Sequence, residues 1–325
     1  MYLDSIDKRL LHLVQAEFPL TTQPYAAIGL RRGLDESEVI HRLAQLKAKG
    51  LLRHIGPVLE ARSLGYETML VAARVAEAQL EKAEQVIAEH PGVSHGYERD
   101  NDFNVWFTLA LPSGVKIEAE LERLASATRA EAMFSLAAIR VYRIGTFFDL
   151  GGDVQGVPAV HPKGDLGGHV ELAPTERALL NELQQDLPFT PTPFNAMAAK
   201  TGMDVEHFLA LCQSLTKRGV IRRFGASINH RQAGFRANAM ACWVAPPTAV
   251  DTIGCRLASV REVSHCYERK TNALWPYNLF AMIHGHTTEG CEEIARQIAS
   301  ETGLDNYVLL FSTKEFKKAR VKYLV

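Results

Sequence analysis

The sequence has few of the features that mark secreted, membrane-spanning or metal-binding proteins. Five cysteines occur in 325 residues; all lie in the second half, and none forms a Cys-x-x-Cys pair. This spacing fits neither a disulfide framework nor a zinc site, so no metal ligands are predicted. No apolar run is long enough for a membrane helix, and the N-terminus lacks the apolar core of a signal peptide. A protein of the reducing cytoplasm, without a membrane partner, is therefore expected.

The chain also lacks an excess of charge of either sign. It has 36 Lys and Arg residues against 37 Asp and Glu residues, for a formal net charge of −1. Without a basic excess there is no electrostatic reason to expect a polyanionic partner. Hydrophobic residues make up 47% of the sequence, which is typical of a globular protein, and its length is sufficient for two domains.

An internal repeat organises the chain. The segment KGLLRHIG at 49–56 returns as RGVIRRFG at 218–225, and SHGYER at 94–99 returns as SHCYER at 264–269. Both offsets are about 170 residues, far too long for a solenoid, so the repeat indicates a duplicated whole unit. A glycine-rich segment without apolar periodicity, 151–171, lies between the copies and is predicted to be a linker.

Each copy begins with three helical patterns followed by a β-rich stretch. The predicted helices are 4–16, 25–30, 35–49, 174–187, 193–201 and 204–218. Gly50 and Gly219 end the third helix of each copy as C-caps. This outline predicts a winged helix-turn-helix at 1–60 and a second one at 172–230.

The remainder of each copy reads as strand, helix, strand, strand, helix, strand. In the second copy these elements are predicted at 237–245, 248–257, 263–269, 277–285, 287–302 and 306–311. The βαββαβ order is typical of a ferredoxin-like α+β sandwich, predicted at 61–150 and at 231–325. Residues 314–325 are left as a further strand or a tail. The two copies are expected to form an internal pseudo-dimer, and further homo-oligomerisation stays open.

A winged helix-turn-helix in front of a ferredoxin-like domain resembles the Lrp/AsnC regulators, and this resemblance by itself implies DNA binding. The third helix of each copy argues against it. Asp35 and Glu36 open this helix in the first copy, and Asp204 and Glu206 in the second, where a recognition helix would approach phosphates. We therefore expect no DNA partner, and a DNA-binding regulator that senses a small molecule or heme is the alternative function.

Candidate functional side chains concentrate at 263–285. Two strand-like runs flank a polar turn and the dipeptide Trp275-Pro276, where the second strand should begin. If the runs pair antiparallel, the rings and guanidinium group of the first lie near His284 of the second. A hairpin whose histidines are merely hydrogen-bonded is the alternative. Positive charge concentrates nearby in the wing, RRFGASINHRQAGFR at 222–236. Its arginines suit a ligand with many carboxylates, unless the wing is only a solvated charged hairpin.

The run RRFGASINHRQAGFRANAMACW, followed by SHCYER and WPYNLFAMIHG, is similar to the siroheme decarboxylases. These are Lrp/AsnC-like proteins of heme d1 biosynthesis and of the alternative heme pathway, and the chain resembles their fused form. The resemblance implies that siroheme is the substrate and that it loses CO2 from its C12 and C18 acetate groups, which gives 12,18-didecarboxysiroheme. It implies no added cofactor, because the siroheme iron belongs to the substrate.

Roles for single residues are hypotheses that follow from this chemistry. Loss of CO2 from a pyrrole acetate requires a proton donor, and histidine suits that role near neutral pH. His284 is the first candidate and His230 the second, whereas His265 and Tyr267 would position the substrate or ligate its iron. The residues predicted to bind substrate, by holding carboxylates or, for the tryptophan, by stacking on the macrocycle, are Arg222, Arg223, Arg231, Arg269, Trp275 and Arg99.

The copies differ in these residues. The first keeps His95, Tyr97 and Arg99 but has nothing like His284. The chemistry is therefore predicted mainly in the second copy, although a cleft between the copies could also use His95 or Arg99. A heme-binding carrier without catalysis is a third hypothesis, distinguished by binding siroheme without releasing CO2.

Overall fold

The computed structural model describes residues 3–145, 168–229 and 237–323. Within these ranges it confirms the predicted α+β class, with three helices and a wing followed by a ferredoxin-like sandwich in each copy. Most of the predicted linker lies outside the described residues, as do two candidate site residues, His230 and Arg231.

The first copy follows the predicted order of elements. They are α1 (Ser5–Ala16), α2 (Pro24–Arg32), α3 (Glu36–Ala48), β1 (Leu52–Leu59), β2 (Tyr66–Arg74), α4 (Leu80–Glu89), β3 (Val93–Arg99), β4 (Val105–Pro112), α5 (Ile117–Thr128) and β5 (Ala132–Ile144). Local sequence explains the ends of the first helices. The Asp4 carboxylate accepts a hydrogen bond from the Asp7 amide at the start of α1, and Gly33 ends α2 in the left-handed conformation.

The second copy repeats this order. Its elements are α6 (Pro174–Leu183), α7 (Pro193–Lys200), α8 (Val205–Lys217), β6 (Ile221–Ile228), β7 (Ala237–Trp243), α9 (Val250–Ser259), β8 (Val263–Arg269), β9 (Leu279–Gly285), α10 (Thr288–Thr302) and β10 (Tyr307–Lys318). Helix α6 ends before the predicted position 187, which directly precedes Pro188 and is therefore disfavoured in a helix. No helix within the described ranges combines the length and apolarity that a bilayer span requires.

The two wings form one antiparallel ribbon, because β1 of the first copy pairs with β6 of the second. Gly56 lies opposite Gly225 near its centre, as expected for two copies related by an internal twofold axis. A Cβ at 225 would lie 2.9 Å from the carbonyl oxygen of Val14, so glycine lets the ribbon lie directly against α1. The first three helices of each copy, α1–α3 and α6–α8, pack on this ribbon and share one apolar core.

The eight sandwich strands form one closed sheet in the order β10-β3-β4-β2-β5-β8-β9-β7. Each copy supplies four adjacent strands in the ferredoxin-like arrangement, and the last strand of each copy joins the two halves. Strand β5 pairs with β2 through Ala137 and with β8 from Ala138 onward. The two copies are therefore joined by backbone hydrogen bonds at two places around the closed sheet, between β5 and β8 and between β10 and β3.

Strand β10 is longer than the sequence predicted. Its residues 307–311 pair with β7, and 312–318 continue along β3 of the first copy. The apolar run stops at Phe311, so hydrophobic patterning ended the strand too early. Backbone pairing with the other copy needs no apolar side chains, which explains why the strand continues through polar residues.

Helices cover the outer face of the closed sheet, and its inner face encloses an interior. Aromatic rings fill one end of that interior, where Trp106 and Trp275 are 1% and 4% exposed. Their ring centroids are 5.1 Å apart in an edge-to-face arrangement. The other end of the interior carries the histidines of the repeated motif, so the fold places the candidate site inside the sheet.

Candidate active site

The repeated motif places two equivalent sets of side chains in the interior. Tyr97 lies opposite Trp106 on the neighbouring strand, and Tyr267 lies opposite Phe280; both partners belong to the interior core. Cross-strand partners point to the same face of a sheet, and so do residues two apart along a strand. The inward-facing sets are ladder 1 (His95, Tyr97, Arg99) and ladder 2 (His265, Tyr267, Arg269).

The two ladders face one another. Strands β3 and β8 lie on opposite walls of the closed eight-stranded sheet. After burial, the largest influence that lowers the pKa of His265 is the charge of His95, as expected for imidazoles that share one space. The internal symmetry therefore brings both copies of the motif to a single site.

Each ladder is held together by ring contacts. The imidazole and phenol rings are stacked, with centroids 6.4 Å apart for His95 and Tyr97 and 6.2 Å apart for His265 and Tyr267. The Arg269 guanidinium carbon lies 4.5 Å from the centroid of the Tyr267 ring, a cation–π contact. These contacts orient the three side chains of each ladder before any ligand binds.

The arginines of both ladders lie away from acidic side chains, and Arg99 is buried whereas Arg269 is half-buried. Arg99 donates from Nη1 to the carbonyl oxygen of Leu310 at 2.8 Å, and Arg269 donates to that of Leu136 at 2.9 Å. Neither has a carboxylate partner among the described residues. Burial lowers the pKa of Arg99 to about 10 and lowers that of Arg269 as well. A guanidinium has five N–H donors, so donors remain to bind the carboxylates of a ligand.

A β-bulge precedes each ladder histidine. The register shifts between Val93 and His95 in the first copy and between Val263 and His265 in the second. The intervening Ser94 and Ser264 place Oγ within 2.9 and 2.8 Å of Nδ1 of the next histidine. The bulge thus turns the serine side chain towards the next histidine, and the hydrogen bond between them holds the imidazole ring in each ladder.

Only ladder 2 extends this hydrogen bonding to another histidine. Ser264 Oγ also lies 2.7 Å from Nε2 of His284, which confirms that the two runs of the predicted hairpin bring these residues together. Thr108 of β4 lies opposite His95, as Met282 of β9 lies opposite His265. Two residues further along the same face stands Ala110 in the first copy and His284 in the second. The first copy therefore has no counterpart of His284, as the sequence indicated.

The protonation states of the ladder rings follow from burial. Burial lowers the pKa of His95 and of His265 to about 4, so both imidazoles are neutral near pH 7. Burial raises the pKa of Tyr97 and of Tyr267, so both phenols keep their protons. The site therefore combines two cationic guanidinium groups with neutral rings that carry N–H and O–H donors.

The wing arginines lie on opposite faces of β6, because adjacent strand residues alternate. Arg222 is close enough to Tyr267 for its charge to act on the phenol, and it forms an ion pair with Glu60. Arg223 instead donates to the carbonyl oxygen of Gln15 in helix α1. The structure thus brings Arg222 to ladder 2 but not Arg223, whose role in binding a substrate stays a prediction.

Trp275 lies among the aromatic residues at the arginine end of the interior. Its ring contacts those of Phe103, Trp106, Phe134 and Tyr277. The structure therefore places it in the apolar wall rather than beside the ladder histidines. Stacking of this ring on a macrocycle stays a prediction.

Several residues of the site were not predicted from the sequence. Among them are Ser264 and the acidic partners of the wing, Glu60 and Glu315, the second of which lies 3.3 Å from Arg53. A cleft of about 540 Å³ opens beside ladder 1, since Glu315 lies opposite Tyr97. Four of the eight residues that line the cleft are basic; the lining is Lys47, Gly50, Leu52, Arg53, Glu315, Phe316, Lys317 and Lys318. The one sequence feature that could have indicated Ser264 is that a serine precedes the histidine of the motif in both copies.

Comparison with known proteins accounts for this architecture. Residues 7–53 and 176–222 match the model of the siroheme decarboxylase NirDL-like HTH domain, and 63–143 and 232–317 match that of the AsnC-like ligand binding domain. The siroheme decarboxylase of Hydrogenobacter thermophilus is 35% identical over 316 residues, 97% of this chain and 94% of that protein. The chain belongs to the siroheme decarboxylase family. This membership confirms the resemblance found in the sequence.

The family also contains proteins made of separate subunits. The siroheme decarboxylase beta subunit of Methanosarcina barkeri is 43% identical over 148 residues, 97% of that subunit but 46% of this chain. The crystal structure of a siroheme decarboxylase NirDL in co-complex with an iron-uroporphyrin III analogue superposes with a TM-score of 0.74. It shares 33% identity, covers 99% of this chain and is itself covered to 95%. This family member thus shares the whole fused architecture.

The low pKa values of three histidines predict that the protein described here is destabilised by acid. Burial lowers the pKa of His54, His95 and His265 from 6.5 to about 4. The unfolded chain therefore takes up protons before the folded chain does, so their stabilising contribution is complete above pH 6.5 and is lost as the pH falls towards 4. We expect the free energy of unfolding in urea to fall between pH 6.5 and 4.5, by up to about 1.4 kcal/mol per pH unit for each histidine.

Substitutions separate this effect from general acid damage. His95→Gln and His265→Gln should each reduce the slope of stability against pH, whereas His207→Gln, at an exposed position of α8, should leave it unchanged. A slope that is the same in all three variants and the unmodified chain would contradict the assignment.

Proposed function

We propose that this chain decarboxylates siroheme, removing CO2 from the C12 and C18 acetate groups to give 12,18-didecarboxysiroheme for heme d1 or heme biosynthesis. Membership of the siroheme decarboxylase family supports the reaction. The observation that carries it within the structure is the pair of interior arginines, Arg99 and Arg269, which have no acidic partner among the described residues and lie beside two neutral imidazoles. The enzyme is a carbon–carbon lyase of the cytoplasm that needs no added cofactor.

The arginines orient the substrate. Siroheme carries acetate and propionate groups around its ring, and a guanidinium fork binds a carboxylate through two parallel hydrogen bonds. Arg99 and Arg269 hold carboxylates at the closed end of the interior. Arg222 and the basic cleft beside ladder 1 hold others nearer the opening. Fixing several carboxylates at once selects which acetate lies next to a ladder histidine.

The reaction breaks one C–C bond and forms one C–H bond. The electron pair of the breaking bond passes to the methylene carbon and is delocalised into the macrocycle, and CO2 leaves. A ring N–H of His265, or the phenol of Tyr267, then supplies the proton that makes the methyl group. Tyr267 retains that proton at neutral pH because burial raises its pKa.

The apolar part of the interior favours loss of charge from the acetate. Met282 and Phe280 lie on the strand beside ladder 2, opposite His265 and Tyr267. A carboxylate in this apolar environment is poorly solvated. The carbanion formed by loss of CO2 needs less solvation, because its charge is delocalised over the macrocycle. Contributions of His230 and Arg231, which lie outside the described residues, stay predictions, as does the first-ranked role of His284 as direct proton donor.

The proposal is tested by anaerobic incubation of the full-length protein with siroheme, followed by mass spectrometry of the tetrapyrrole. We expect siroheme to lose the mass of two CO2 molecules. Iron coproporphyrin, which has no acetate side chains, is the control and should be returned unchanged. Siroheme that binds but keeps its mass would overturn the proposal and leave a carrier. A salt-dependent shift of DNA in a gel would favour the regulator instead.

A further inference from the structure

Three polar groups of the second copy form a continuous hydrogen-bonded chain. Nε2 of His284 lies 2.7 Å from Ser264 Oγ, and this same oxygen lies 2.8 Å from Nδ1 of His265. His284 and Ser264 are 7% and 6% exposed and His265 is half-buried, so the first two groups are largely shielded from bulk solvent. The remaining ring nitrogen of His265, Nε2, has no hydrogen-bond partner in the described parts of the molecule.

A hydroxyl between two imidazoles fixes where their protons lie. The Ser264 hydroxyl has one hydrogen, so it donates to one nitrogen and accepts from the N–H of the other. When His284 donates to Ser264 and Ser264 donates to His265, the neutral His265 ring carries its own hydrogen on Nε2. When both bonds reverse, His265 carries the hydrogen on Nδ1 and Nε2 is bare. Going from the first arrangement to the second moves one hydrogen from His284 to Ser264 and one from Ser264 to His265. It also requires that Nε2 of His265 loses its hydrogen and that Nδ1 of His284 gains one.

We propose that Ser264 relays a proton from His284 to His265 during each decarboxylation, so that His265 donates from Nε2 and stays neutral by taking up a proton at Nδ1. This proposal rests on the proposed function and assigns the donor within it. As the methylene carbon takes the Nε2 hydrogen of His265, Ser264 gives its hydrogen to Nδ1 and receives the Nε2 hydrogen of His284. A water that reaches Nδ1 of His284 supplies one proton there, so both imidazoles end neutral with their hydrogens on Nδ1. Before the next donation, water gives a proton to Nε2 of His265, the two hydrogens return along Ser264, and Nδ1 of His284 releases its proton. The sum is one proton taken up and one CO2 released.

The first copy lacks this relay although it repeats the motif. Ser94 Oγ is 2.9 Å from Nδ1 of His95, but Ala110 occupies the position that corresponds to His284. Among the described residues the chain of donors therefore stops at a single serine, and no histidine stands behind Ser94 to pass a proton to His95. Ladder 2 is the site of repeated proton delivery, and ladder 1 positions the macrocycle.

The two serines provide a matched pair of variants. Single-turnover decarboxylation of siroheme by Ser264→Ala should be about 10- to 100-fold slower than in the unmodified protein, a fraction of what proton transfer by a positioned group contributes. Ser94→Ala should change the rate by less than about threefold, because removing this serine interrupts no relay. Ser264→Thr keeps the hydroxyl and should restore most of the rate. Siroheme titrated by absorbance should bind all three variants with similar affinity, which also shows that they are folded.

Solvent isotope effects separate a relay from a merely structural serine. The rate measured in mixtures of H2O and D2O should follow a curve rather than a straight line when plotted against the deuterium fraction, because several protons move in one step. This curvature should be lost in Ser264→Ala but kept in Ser94→Ala. The relay is overturned if the two alanine variants lose the same rate, or if Ser264→Ala is slow but keeps the curvature. An unmodified protein that leaves siroheme intact overturns the proposed function and the relay with it. An active protein with equal serine variants overturns the relay alone.

Discussion

Replacing His265 with glutamine is expected to slow single-turnover decarboxylation of siroheme by about 10²- to 10⁴-fold, the usual contribution of a general acid or base. Glutamine keeps a polar group of similar length beside Ser264 but has no ring nitrogen through which a proton can pass. Substrate affinity should change little, since the arginines of both ladders remain. The measurement is mass spectrometry of siroheme and its products in a quenched time course.

His95→Gln is the matched control for this variant, because the internal symmetry gives His95 an equivalent serine and an equivalent tyrosine, Ser94 and Tyr97, but no counterpart of His284. We expect it to slow the reaction by less than about tenfold, as suits a residue that positions substrate. If His95→Gln gave a product that had lost only one CO2, this division of roles would be wrong, and each ladder would act on its own acetate. The division of roles would also be contradicted if both variants slowed the two decarboxylations to the same extent.

Arg269→Met is expected to weaken siroheme binding by about 30-fold or more, because a carboxylate that loses a buried charged partner costs 2–5 kcal/mol or more. The unliganded protein should change in stability by only about 1 kcal/mol. Loss of the bond to the carbonyl oxygen of Leu136 destabilises it, and removal of a buried charge without an acidic partner offsets this. Binding is measured by absorbance titration and stability by urea denaturation.

Arg256→Met provides the comparison, because this arginine lies on the outer face of α9 and pairs with Glu301. Neither binding nor stability should change measurably in that variant. If Arg269→Met bound siroheme as the unmodified protein does but unfolded several kcal/mol more easily, Arg269 would serve the fold rather than the substrate.

The order of elements could be predicted because local patterns carry it. Apolar periodicity marks the helices, Gly50 and Gly219 mark their ends, and the repeated SHxYER motif marks equivalent strands. How the copies join could not be predicted in this way. The pairing of β1 with β6 and the passage of β10 from β7 to β3 depend on backbone hydrogen bonds between distant residues, which leave no local hydrophobic signal.

The candidate site was predictable in composition and less so in arrangement. Strand alternation brings His265, Tyr267 and Arg269 onto one face, and the hairpin adds His284, as the sequence suggested. Strand alternation alone would have turned Ser264 away from His265, yet the bulge keeps both within hydrogen-bonding distance. A local change of backbone register thus determines the contact that extends the site beyond the predicted residues.

The passage of β10 into the first copy has a consequence for how the chain is made. Residues 312–318, which complete the outer edge of β3, lie within the last 14 positions of the 325-residue sequence. On a ribosome the first copy is synthesised before residues 312–318, so this edge of β3 stays unpaired until those residues have emerged. Unpaired edges invite association with other chains. A nascent first copy is therefore open to such association, and the wall behind His95 is completed only when residues 312–318 have emerged.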